Sequence, residues 1–237
     1  MVLELHIASN TIYLFLIANL IIDYLKMIKS KQDLYTYLDC DKIVYGGKKV
    51  INPTTQIQHF VWMTREVLKD FRCDYKVFNF IFALRMHEYY FNKNSRSIFD
   101  RIALTYWAHR HQKLGFLLGF DIPINVFGPG LRINHWGMIV VNGNARIGAF
   151  CDIHQGVNIG NHGGADDVPQ IGDNVWIGPG AKLFGKIYIA DGCAIGANAV
   201  VNRSFSEPNQ SIAGIPAKVV SASGNLNIRT YEKEEIR

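Results

Sequence analysis

From Val141 onward one phase of six residues carries an aliphatic side chain almost without a break: Val141, Ile147, Ile153, Ile159, Ala165, Ile171, Ile177, Leu183, Ile189, Ile195 and Val201, with Ala165 the single weak member. Four places after these positions the residues are small or β-branched, as in Ala145, Cys151, Val157, Val175, Ala181, Ile187, Cys193 and Ala199. One place after them Gly148, Gly160, Gly172, Gly178 and Gly196 recur, with Asn142 and Asn202 in the same slot. Glycine and asparagine accept left-handed backbone angles, so these are read as corner residues. A sandwich of antiparallel strands alternates with period two and spaces its turns irregularly, which this segment does not do. A fixed hexad of aliphatic, small and corner residues instead specifies a solenoid of short stacked strands.

The first half follows different rules. Apolar residues recur three and four apart over 55–71, 76–91 and 97–118, which predicts helices, the last capped by Ser95 or Ser97 with Asp100 in its first turn. The chain is therefore divided into a helical region over 1–120, a β-solenoid over 121–220 and a tail over 221–237. With 49% hydrophobic residues in 237 it has material for real cores. The formal charge of +5 belongs to residues 1–122, with 16 Lys/Arg against 11 Asp/Glu, while 123–237 carries nine of each. An excess of this size describes a solvated helical surface and gives no reason to expect a nucleic-acid partner. Cys40, Cys73, Cys151 and Cys193 form neither a CxxC pair nor a His/Cys cluster, so no metal site or disulfide framework is expected and a reduced, cytoplasmic setting is. The apolar run 11–22 is shorter than the ~20 residues a spanning helix needs. It is read as a packing helix, with a helix lying peripherally on the inner membrane as the alternative.

The stretches NHWGMIVVNGNARIG (134–148), CDIHQGVNIG (151–160), PQIGDNVWIGPGAKLFGKIYIADGCAIGANAVV (169–201) and AGIPAKVV (213–220) resemble the hexapeptide-repeat acyltransferases. Within these they resemble the serine acetyltransferase-like branch that includes capsule and exopolysaccharide O-acetyltransferases. The resemblance is strong over 121–220 and loose before it. It implies a left-handed parallel β-helix, a homotrimer, and acetyl-CoA held between neighbouring subunits as acyl donor, with no metal.

Acetyl transfer from a thioester needs a base for the acceptor hydroxyl and donors for the oxyanion. His135 falls six places before Val141 and so breaks the aliphatic series with a polar residue, and the resemblance makes it the catalytic base. Asp121 matches the carboxylate that fixes its tautomer, although the chain is one residue shorter between the two. The resemblance places backbone oxyanion donors at Gly160 and Asn161. His154 is expected one strand spacing, roughly ~5 Å, from His135 and pointing outward, as a substrate or CoA contact rather than the base. His162 lies in a polar break, GNHGGADDVPQ, read as an extruded loop. For acetyl-CoA the resemblance points to Gly178, Gly180, Ala181 and Ala197 along the pantetheine arm, with Lys182, Arg203 and Lys218 toward its phosphates.

Asn134 and Val168 stand where serine acetyltransferases carry an aspartate and a histidine. An amino-acid zwitterion needs charged partners, so losing both favours an uncharged polyol. Arg132 and Trp136 flank the base and suit a sugar carboxylate and a sugar face. The sequence is accordingly read as an O-acetyltransferase of a polysaccharide or its glycolipid or sugar precursor, with L-serine a poor acceptor. Serine O-acetylation for cysteine biosynthesis is the enzyme alternative, and a catalytically dead trimeric scaffold is the alternative of another class.

Overall fold

The computed structural model describes residues 27–45 and 76–226. The apolar run 11–22, the helix expected over 55–71, Cys73 and most of the tail lie outside them. Helix α1, Lys31–Ile43, begins in a capping box in which Ser30 and Asp33 satisfy each other's backbone N–H. This segment fell in the helical region without a helix of its own being named, although Ser30, Asp33 and the spacing of Leu34, Tyr37, Leu38 and Asp41 carry the signal. Helix α2, Lys76–Asn92, buries Phe80 through Leu84 and Met86. Helix α3, Ile98–Leu118, is capped by Ser97 with Asp100 in reciprocal bonds and stops at Gly119, whose φ of 76° is the left-handed termination that favours glycine.

The solenoid follows at once. Strands β1 (Phe120–Asp121), β3 (Ile139–Val141), β6 (Asn158–Gly160), β9 (Lys182–Phe184) and β12 (Val200–Val201) stack in parallel as sheet A. Strands β4 (Arg146–Ile147), β7 (Gln170–Ile171) and β10 (Tyr188–Ile189) form sheet B. Sheet C runs through β2 (Arg132–Ile133), β5 (Asp152–Ile153), β8 (Trp176–Ile177), β11 (Ala194–Ile195) and β13 (Ser211–Gly214). Its edge is closed by β14 (Ala217–Ser221), which pairs antiparallel with β13. The aliphatic hexad stacks on itself inside: Ile133, Ile153, Ile177, Ile195 and Ile212 on one face, Ile159, Leu183 and Val201 on another, all fully buried. The small residues four places later, Ala145 to Ala199, fill the same interior.

Three details differ from the sequence reading. Ile159 pairs with Leu183, twenty-four residues on, whereas Leu183 pairs with Val201, eighteen on. The loop therefore adds six residues to its coil, which is why the phase survives it, and Ala165 is an exposed loop residue. The corner after β2 is longer as well. Ile133, not His135, is the buried partner of Ile153, so counting back in sixes from Val141 reaches a corner instead of the core, and His135 is exposed. The recurrent glycines, finally, do not have positive φ. Left-handed residues come three places after the aliphatic, at Phe150, Gly156, Asn174, Gly180, Gly192 and Asn198. Gly178 and Gly196 are required by closeness: a Cβ would lie 2.8 Å from the Ile195 carbonyl oxygen and 2.9 Å from Ala213 Cβ.

The helices are fastened to the solenoid by buried charge. Arg85 donates to Asp41 at 2.8 Å, to Glu88 at 3.0 Å, and to the carbonyls of Phe127 and Gly128 at 2.9 and 2.7 Å. Asp41 in turn accepts from Leu131 N–H and Glu88 from Asn125 N–H, each at 2.8 Å. Burial opposes the charge on Arg85, but the attraction of Asp41 and Glu88 outweighs it and raises its pKa.

A second polar pair joins α2 to α3: the Nδ1 atoms of His87 and His111 lie 3.2 Å apart, with the His111 ring against that of Phe80. Burial pushes the His111 pKa down to about 4, with the charge of His87 adding to it, and lowers that of His87 as well. An unfolded histidine titrates near ~6.5, so below that pH the unfolded chain takes up a proton that the folded chain refuses. The stability due to His111 is fully present above about pH 6.5 and is lost as the pH falls toward 4, by up to about 3 kcal/mol. Urea unfolding at pH 7 and 4.5 checks this. His111→Gln, which cannot titrate, should lose less stability across that interval than the parent.

Candidate functional site

The solenoid has three edges, and the candidate residues gather on two of them. On the edge between sheets C and A lie His135 and Trp136, then His154, then Gly178 and Gly180, then Ala197. The His135 corner is tied to the end of α3, with Gly137 N–H donating to the Leu118 carbonyl and Ile139 N–H to that of Gly119, both at 2.9 Å. Trp136 is 71% exposed there beside Met138, so it does not pack beneath the helices. His154 is half-buried. Its Nδ1 lies 3.0 Å from the Ile177 carbonyl, which can only accept, so Nδ1 is the donor in that bond. Its ring meets Trp176 edge-on at 4.8 Å. Because Asn134 N–H bonds to the Ile153 carbonyl, Asn134 and not His135 is the residue stacked directly above His154.

Behind this edge, on the outer face of sheet C, sits a carboxylate that the sequence reading did not single out. Asp152 is 5% exposed and accepts from Arg132 Nη1 at 3.3 Å and from Asn134 Nδ2. Tyr45 holds the intervening backbone, its hydroxyl donating to the Ile133 carbonyl at 2.8 Å and accepting from Ile133 N–H at 2.7 Å. Asp152 precedes a core isoleucine, where a polar residue is the default on a strand's outer face. Only its register opposite Arg132 distinguishes it.

The edge between sheets A and B holds the other group. Asp121 ends β1 opposite Val140 and is exposed, and no hydrogen bond joins it to His135 among the described residues. Gly160 closes β6, and Asn161 Nδ2 donates to the Gly164 carbonyl at 3.2 Å at the start of the extruded loop. His162 is exposed on that loop, which Asp167 fastens to Lys186 N–H. Val168 is 5% exposed and packs as the loop returns. Arg203, also exposed, stacks its guanidinium 5.2 Å from the Phe205 ring. Sheet A's short strands thus separate His135 from Gly160 and Asn161 within one chain.

Of the residues expected along acetyl-CoA, Gly178, Gly180 and Ala197 share the edge with His135. Ala181 does not face outward: it is fully buried in the small-residue stack, so its side chain belongs to the core. Lys182 turns its ammonium to the Gly156 carbonyl, and Lys218 is exposed on β14. Gln155, between His154 and Gly156, buries its Oε1 without a hydrogen-bond partner. Among the described residues no group of three or more His, Cys, Asp or Glu is placed to hold a metal, and no helix is long and apolar enough to cross a membrane.

Residues 169–203 match the bacterial transferase hexapeptide family (six repeats). The chain is 38% identical over 110 residues to a serine acetyltransferase of Mycobacterium tuberculosis, covering 45% of this chain and 48% of that one. It is 26% identical over 213 residues to the serine acetyltransferase of Buchnera aphidicola, covering 87% and 77%. The crystal structure of Neisseria gonorrhoeae serine acetyltransferase superposes with a TM-score of 0.56 at 25% identity, over 85% of this chain and 70% of the other. The chain spans about half the length of the first two curated relatives. The hexapeptide match and the structural likeness imply the left-handed winding.

These findings overturn the polysaccharide reading. The relatives are serine acetyltransferases, and the capsule and exopolysaccharide branch, its saccharide or glycolipid acceptor and the membrane contact find no support among them. The inference from missing charge does not hold against these relatives, and both positions have local roles in the fold: Asn134 Nδ2 donates to Asp152, and Val168 is packed as the loop returns. Residues 169–203 thus match a hexapeptide-repeat transferase family, and the chain is similar in sequence and in structure to serine acetyltransferases.

Proposed function

We propose that the protein is an acetyl-CoA-dependent serine O-acetyltransferase serving cysteine biosynthesis. The observation that carries this reading is the extent of the likeness to the Buchnera enzyme, which runs through the helices as well as the solenoid. In the proposed reaction His135 Nε2 takes the proton from the serine hydroxyl, whose oxygen attacks the thioester carbonyl. The tetrahedral oxyanion is met by backbone N–H groups at Gly160 and Asn161, and its collapse expels CoA thiolate, which the imidazolium protonates. Asp121 fixes the His135 tautomer through Nδ1. The pantetheine arm runs along Gly178, Gly180 and Ala197, where the orphaned Gln155 Oε1 offers an acceptor to one of its amides, and Lys182, Arg203 and Lys218 lie toward its phosphates.

The two groups of residues sit on different edges, so a complete site draws one edge from each of two neighbouring subunits. A homotrimer supplies this three times over. The half-buried Trp176 and Phe184 and the exposed Tyr188 give the outer faces apolar surface for that contact. Incubation with acetyl-CoA and L-serine should release CoA and leave O-acetyl-L-serine, identified by mass. CoA release without that product contradicts the reading.

A further inference from the structure

Arg132 and Asp152 form a built unit that the proposed reaction leaves unused. Asp152 is almost completely covered and spends its two oxygens on Arg132 Nη1 and Asn134 Nδ2, so it is a holder of its neighbours and not itself a landing place for substrate. Arg132 is different. Its side chain is one-third exposed and, among the described residues, makes one hydrogen bond, from Nη1 to Asp152, leaving the other donors of a planar fork unspent. The backbone beneath it is pinned by Tyr45 on both sides of Ile133. A guanidinium fixed on one side by a buried carboxylate and open on the other is arranged to take a second carboxylate. It stands three residues before His135, at most ~10 Å along extended chain and within reach of a long side chain.

Resting on the serine reading, we infer that Arg132 anchors the α-carboxylate of the acceptor amino acid and that Asp152 is the positioning residue that holds it there. The inference names a specificity determinant. L-serine carries its carboxylate two carbons from the reacting oxygen, and ethanolamine is the same acceptor without it. Arg132 therefore contributes to the choice of serine over ethanolamine and not to the transfer itself.

The readout is the ratio of kcat/KM for L-serine to that for ethanolamine, which does not depend on the fraction of each preparation that is folded. Arg132→Met should reduce that ratio roughly 10- to 100-fold, the effect of removing a hydrogen-bonded charge pair. Arg132→Lys, which keeps the charge but loses the fork, should fall between the two. Asp152→Asn should lower the ratio through KM for serine while kcat holds. A ratio that stays at the parent value in Arg132→Met and Arg132→Lys overturns the inference. Failure of the serine reading itself is distinct, because it appears in the parent enzyme as CoA release without any response to L-serine.

Discussion

Replacing Arg85 with methionine is expected to lower the unfolding free energy by about 3–5 kcal/mol, the cost of leaving buried charge without its partner. Arg85, Asp41 and Glu88 are buried to within 2%, and between them they satisfy two carbonyls and two N–H groups of the first coil. Methionine matches the stem of arginine but strands both carboxylates, so the loss is electrostatic and not one of volume. Urea denaturation at pH 7 measures it, and a change below about 1 kcal/mol would mean that the cluster is open to water. Replacing all three charged residues by apolar ones of similar size should recover much of the loss, because an apolar core needs no compensation.

That cluster also marks the limit of what the sequence discloses. Arg85 and Glu88 are three apart on a helix and Asp41 stands on another, a pattern that ordinarily describes a solvated face. Their burial comes from the solenoid seated against them, which no local pattern encodes. The stacked aliphatics were legible because each coil repeats the same demand on the same slot. The capping box of α3 was legible because it is local, and that of α1 was equally local but overlooked. The position of His135 was misread because the phase assumed every corner to be equally long, whereas the one after β2 is extended. Asp152 escaped for a related reason: its partner Arg132 lies twenty residues away through that same irregular coil.

The second large effect is expected at His135. His135→Ala should lower turnover by roughly 10²–10⁴-fold while acetyl-CoA binding persists, the range for loss of a general base. The variant isolates the proton transfer, since His135 is exposed at a corner and its removal leaves no core cavity. His154→Ala should cost less, although the bond to the Ile177 carbonyl uses its Nδ1 and not its Nε2. Single-turnover measurements with both variants separate the roles. A dead His154→Ala beside a near-normal His135→Ala would transfer the base to the second coil.

The central claim is the identity of the acceptor, and the rate of CoA release with L-serine against a panel of saccharides tests it most directly. Second-order rate constants are compared at matched, saturating acetyl-CoA. The account predicts that L-serine saturates the enzyme and exceeds every saccharide by at least about 100-fold, a difference of about 3 kcal/mol in transition-state binding. A saccharide that outpaces L-serine would contradict it.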